Sequence, residues 1–161
     1  MVEKIISVVI LMSLSGGVMS QKIAINNVKI PSSINDQIFT EEFLQLQRFY
    51  ESSNNQNAIS PSGAIGVAQF MPKTWSWLKH KKIIPSHYSI NNEKHQIRSQ
   101  RLYMEYLYNR PWEPYYDSYR ATIASYNCGR GKVLRLMKNY FIYWELYLPL
   151  ETKNYLKKLT K

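Results

Sequence analysis

The stretch FYESSNNQNAISPSGAIGVAQFMPKTW, residues 49–75, decides how the rest of the chain is read. It carries one carboxylate, Glu51, and no further charge before Lys73. Just upstream, Thr40 is a good N-cap, with Glu41 and Glu42 in the first turn, where the helix dipole favours acids. Phe43, Leu46 or Gln47, and Tyr50 follow at helical spacing. Ser-Ser-Asn-Asn then supplies turn chemistry, so the helix is expected to run out around Glu51 to Ser53. Glu51 therefore falls at a helix C-terminus, where exposed carbonyls disfavour a second negative charge, and apolar neighbours would disfavour it further. Both effects raise a carboxyl pKa, as a general acid working near neutral pH requires. A surface glutamate at a frayed helix end would occupy the same position, and position alone does not separate the two.

Downstream, Ser60-Pro61-Ser62-Gly63 reads as a turn, and Ala64 to Phe70 as a short apolar helix in which Gly66 permits close backbone approach. Pro72 suits the first turn of a helix running to about Lys81. A long helix is expected over Asn92 to Asn109, ending before Pro111. Another covers Asp117 to Tyr126 and is broken by Asn127-Cys128-Gly129-Arg130-Gly131. Lys132 to Tyr140 continues helically, and Glu151 to Leu159 forms a last helix after Pro149. No alternating strand pattern of useful length occurs. The expected class is all-α, with short helices around one core.

The chain has 161 residues, enough for one domain with a real core and hardly for two. Its formal net charge of +10 attracts polyanions. The basic residues are scattered, however, with no long Lys/Arg run and no nucleic-acid-binding motif, so a nucleic-acid partner is not expected. Thirteen tyrosines and four tryptophans suit either a small core with wet hydroxyls or a ring-lined groove for flat ligands such as sugars. Cys128 is the single cysteine, and no Cys/His cluster has metal-ligand spacing, so neither a metal nor a cofactor is expected. The N-terminus places Lys4, an apolar run from Ile5 to Leu14 and then small residues in signal-peptide order, with a cut before Gln21 or after Gly17. Residues 1–20 are thus read as a signal peptide, 21–40 as a leader or linker, and 41–161 as the functional domain. An uncleaved membrane anchor is the competing reading of the apolar run.

Three blocks of sequence resemble the soluble lytic transglycosylases, whose goose-lysozyme-like catalytic domain cleaves peptidoglycan. The first is ESSNNQNAISPSGAIGVAQFMP, similar to the family's Glu-Ser, Ser-Pro-x-Gly-Ala-x-Gly and Gln-x-Met-Pro elements. The second is ATIASYNCGRGKV, similar to Ala-Tyr-Asn-Ala-Gly-x-Gly, and the third is LPLETKNYLKKL, similar to the closing Glu-Thr-x-x-Tyr block. HQIRSQRLYMEYL between the first two resembles the family's intervening helix. The blocks stand in family order over about residues 41–159. Departures are Ala68 where Met is usual, Cys128 for Ala, Arg130 for a frequent Pro, and Leu150 where Tyr is common.

The resemblance implies a compact lysozyme-like helical domain with a substrate cleft and a lyase-type cleavage of the bond between N-acetylmuramic acid and N-acetylglucosamine. Glu51 would be acid and then base. Ser52 would assist the substrate's acetamido group, and Gln69 and Met71 would contact sugar. Tyr126 and Asn127 would orient the acid and the sugar at the cleaved bond, and Glu151 would face the cleft with Tyr155 packed beneath it. Each position also has a plain reading: Ser52 as a helix-end hydroxyl, Met71 as core, Asn127 as a helix stop, Glu151 as a first-turn acid. The implied partner is the glycan strand of peptidoglycan, acted on by a monomer in the periplasm or outside the cell. The short form suits local wall opening for a secretion or conjugation apparatus. A hydrolase of the same fold would need a second acid to hold water, for which Glu113 and Asp117 are the nearest candidates in sequence, and a non-catalytic peptidoglycan-binding envelope component is the third reading.

Overall fold

The computed structural model describes residues 38–160. The expected signal peptide, and all of the leader before residue 38, lie outside the described residues. Within residues 41–159 the chain forms six α-helices and one 3-10 helix. They are α1 (Glu41–Ser52), α2 (Pro72–His80), α3 (Glu93–Tyr108), α4 (Ser118–Cys128), α5 (Arg130–Tyr140), the 3-10 helix Phe141–Tyr147, and α6 (Leu150–Leu159). Among the described residues there is no strand, only two isolated bridges, so the all-α expectation holds. No described helix is long and apolar enough to cross a membrane.

Local chemistry sets most helix limits. The side chains of Thr40, Asn92 and Asp117 each accept a hydrogen bond from the backbone N–H three residues on, capping α1, α3 and α4. Each such cap stabilises its helix by about 1 kcal/mol. Ser53 ends α1 in the left-handed conformation, with φ of 56°. Gly129, with φ of 86°, separates α4 from α5.

Helix α4 is central. It packs against α3, α5 and α6, and the consecutive residues Ala121 to Ser125 are all buried, which covers every face of the helix. Four of these five side chains are small, which lets neighbours approach closely around Ile123. The larger apolar cluster joins Leu44, Met104, Ile123, Val133, Met137, Trp144 and Leu156. Phe39 belongs to it as well: it is fully buried and stacked on Tyr119 at 5.5 Å between ring centroids. Phe39, read from sequence as part of the leader, thus belongs to the packed core. A second cluster gathers Val67, Ala68, Phe70, Trp75, Leu78 and Ile84, and Tyr126 packs against both.

Two expectations are corrected. Residues 64–70 are not a helix. Gly66 and Gln69 take positive φ values of 76° and 49°, and reciprocal backbone hydrogen bonds join Ile65 to Phe70 at 3.0 and 3.1 Å. Gln96 of α3 completes the fold-back, its side-chain oxygen accepting from the Ala68 N–H and its amide donating to the Ile90 carbonyl. The inward face of α1 takes Gln47, one of the two residues offered at that position, but departs from the expected spacing at Tyr50. Leu44, Gln47 and Arg48 are buried, while Leu46 and Tyr50 are exposed. Apolar spacing misjudges this face because Gln47 and Arg48 find buried polar partners, which removes the cost of taking them from water.

Candidate active site

Glu51 sits on the last turn of α1, one helical turn beyond Gln47 and Arg48. It lines a cavity of about 630 Å³ that runs between the loop after α1, the end of α4 and one face of α6. That volume is in the range of small-ligand clefts. The walls are rich in rings: Tyr50, Phe70, Tyr103, Tyr126 and Tyr155 all contribute.

The carboxyl of Glu51 is pushed up to about 7, chiefly by burial, with the Glu151 carboxylate adding to the rise and a hydrogen bond from Tyr155 opposing it. Removing a carboxylate from water penalises its charged form, and a second carboxylate nearby does the same. Tyr155 donates from its hydroxyl to Oε1 of Glu51 at 2.5 Å. Burial, together with the Glu51 charge, holds the Tyr155 phenol well above its ordinary range, so it stays a donor at any physiological pH. A carboxyl that titrates near neutrality and lies open to a cavity can both give and take a proton there.

The other expected site residues fall into two groups. Gln69, Met71, Tyr126, Asn127 and Glu151 line the same cavity as Glu51. Met71 is 38% exposed, which removes the core-packing reading. The Gln69 amide group donates to the Gly66 carbonyl at 2.8 Å, so part of this side chain supports the loop it stands on. The Tyr126 hydroxyl donates to the Ala68 carbonyl at 2.8 Å, tying α4 to that loop. Asn127 Oδ1 accepts from the Thr152 hydroxyl at 2.7 Å, which directs its NH2 group away from α6. Ser52 differs: its hydroxyl donates to the Val67 carbonyl at 2.9 Å and accepts from Asn55 N–H, and it is not among the cavity-lining residues. Here it anchors the loop to the end of α1.

Several lining residues were not singled out from sequence. Asn154 and Lys158 stand with Glu151 and Tyr155 at spacings of three, four and seven, one face of α6 turned to the cavity. That periodicity was legible, but periodicity marks an inward face without saying whether it meets core or cleft. Lys158 lies 5.0 Å over the Tyr50 ring. Cys128 also lines the cavity, and burial pushes its thiol up, away from the thiolate a nucleophile needs. Neither Glu113 nor Asp117 lines the cavity, and Asp117 is occupied in capping α4. Among the described residues, no group of three or more potential ligands could hold a metal ion.

An all-α, lysozyme-like domain with a half-buried carboxyl in a ring-lined cleft is the class that fold and site define. Residues 38–142 match the family model described as the transglycosylase SLT domain, and the chain belongs to this family. The fold is shared with the 70 kDa soluble lytic transglycosylase SLT70 of Escherichia coli. That similarity has a TM-score of 0.61 at 24% identity and covers 80% of this chain and 23% of that one. An inactive mutant of the lytic transglycosylase Slt of Pseudomonas aeruginosa is similar at a TM-score of 0.57 and 24% identity, over 73% of this chain and 20% of that one. The chain thus spans less than a quarter of the length of either. No curated protein matches it. The family match stops at residue 142, so α6, which brings Tyr155 to Glu51, lies beyond it.

Proposed function

We propose that this chain is a peptidoglycan lytic transglycosylase with Glu51 as its single acid and base. The observation that carries the proposal is a carboxyl held at about 7 in the cavity of a transglycosylase-family domain. Glu51 gives its proton to the bridging oxygen as the bond to the anomeric carbon breaks. The 6-hydroxyl of the same muramoyl residue then attacks that carbon and returns its proton to Glu51, closing a 1,6-anhydro ring. No water is consumed, and the proton count on Glu51 is restored. Intramolecular attack needs neither a held water nor an enzyme nucleophile, in contrast to hydrolases that flank the bond with two carboxylates.

Gln69, Met71, Tyr126, Asn127 and Glu151 bind the glycan in this reading, with Ser52 acting through the loop it anchors. The net charge of +10 favours a wall polymer that bears carboxylates and phosphates, in a salt-dependent manner. Export by the N-terminal segment and local wall opening for a secretion or conjugation apparatus complete the proposal. Recovery of envelope partners by pull-down tests the last part, and a set lacking any such component would count against it.

Mass spectrometry of a peptidoglycan digest tests the chemistry. Wild type should release anhydro-muramoyl ends, and Glu51→Gln should be slower by at least about 100-fold. Reducing ends instead would make the enzyme a hydrolase, with Glu151 as the acid already in the cavity. Equal digestion by both proteins would remove Glu51 from the chemistry.

A further inference from the structure

Behind Glu51 runs a hydrogen-bonded chain of buried polar side chains that the proposed chemistry does not itself require. Arg48 Nη1 donates to Gln100 Oε1 at 2.7 Å. Gln100 Nε2 donates to Gln47 Oε1 at 2.7 Å and to the Leu44 carbonyl at 3.1 Å. Gln47 Nε2 donates to the Tyr155 hydroxyl oxygen at 2.9 Å, and that hydroxyl donates to Glu51. Gln47 and Gln100 are fully buried, Arg48 is 6% exposed, and its other terminal nitrogen pairs with Glu41 at 2.7 Å.

The chain has one direction, and Arg48 sets it. A guanidinium only donates, so the Gln100 oxygen must face it. The Gln100 amide nitrogen then faces Gln47, which must present its oxygen, and the Gln47 nitrogen faces Tyr155. The Tyr155 oxygen is thereby an acceptor toward Gln47, and its hydrogen points to Glu51. Turning over either glutamine would set donor against donor between side chains that are fully buried. A proton on Oε1 of Glu51 would likewise oppose the Tyr155 hydrogen.

We propose that Gln47, Gln100 and Arg48 are positioning residues: their one-way chain holds Tyr155 as donor to Oε1 of Glu51 and so places the transferable proton on Oε2. The inference rests on Glu51 being the acid, but its test does not depend on turnover. Each link polarises the next, so removing one weakens the Tyr155 donor and favours the neutral form of Glu51.

The experiment is a carbon-13 NMR titration of the Glu51 carboxyl, assigned by its loss in Glu51→Gln, in the full chain and in Gln47→Met. Methionine keeps the length of the side chain and removes its hydrogen bonds to Gln100 and Tyr155, along with the weaker one to Met104 Sδ. The midpoint should move up by about half a pH unit, with the basic limb of the kcat/KM profile moving alongside it. Gln100→Met, which leaves the Arg48–Glu41 pair in place, should move it in the same direction and serves if Gln47→Met does not fold. A folded variant of either kind with the wild-type midpoint overturns the proposal. If instead Glu51→Gln keeps wild-type activity, the assignment of the acid fails, while the titration still reports on the chain.

Discussion

Tyr155 and Glu51, 104 positions apart in sequence, meet at 2.5 Å, so that a phenol on the last helix holds the carboxyl at the end of the first described helix. Their opposed effects set the acid: burial raises the Glu51 pKa, and the Tyr155 hydrogen bond restrains the rise. Tyr155→Phe should therefore raise it further. Catalysis needs Glu51 protonated in the free enzyme, so the basic limb of kcat/KM should shift to higher pH in Tyr155→Phe. The plateau should fall roughly tenfold because the carboxyl loses its orientation. A pH–rate profile with an unmoved basic limb would show that Tyr155 does not act on the acid.

The same shift bears on stability. Glu51 goes from about 4.5 unfolded to about 7 folded, so between these values the folded state binds the extra proton. Stability from this group is then full below pH 4.5 and is lost as pH rises through 7. Glu51→Gln, which cannot ionise, should be more stable than wild type at pH 8 by on the order of 1–3 kcal/mol, and nearly equal to it at pH 4.5. Thermal melts of the two proteins across this range check the sign, and a constant difference would contradict it.

Glu151 raises the Glu51 pKa through its charge. Glu151→Gln keeps the size and hydrogen-bonding capacity of the side chain and removes the charge. The basic limb of the activity profile should move to lower pH, opposite in direction to Tyr155→Phe. If the two variants move the limb the same way, the electrostatic account of this site is wrong.

Gly66 meets two demands at once. Its φ of 76° is disfavoured for other residues, and a Cβ there would lie 1.9 Å from Gln96 Nε2. Gln96 cannot yield freely, since it bonds Ala68 and Ile90 across the loop. Gly66→Ala should cost about 2 kcal/mol and lower Tm by roughly 5–10 °C. Calorimetry that finds wild-type stability would mean the loop has another way to close.

Legibility from sequence followed the range of the interactions involved. The starts of α1, α3 and α4 were legible because Thr40, Asn92 and Asp117 each cap a backbone group three residues away. The break at Gly129 and the start at Pro72 were legible for the same reason. The 64–70 segment misled because its apolar run suits a short helix equally well. Its fold-back is closed by the Ile65–Phe70 backbone bonds and held by a bond from Ala68 to Gln96, some thirty residues on.

By itself, the sequence determined the all-α class, the capped helices, and a lone carboxylate at a helix end followed by a turn-rich loop. Each of these is set by neighbours within a turn or so of the chain. Tertiary structure alone decided that Gln47, Arg48 and Gln100 lie inside, that Ser52 braces a loop, and that Tyr155 restrains the Glu51 carboxyl. A polar side chain is stable inside only if its partners arrive there too, and those partners come from helices far apart in sequence.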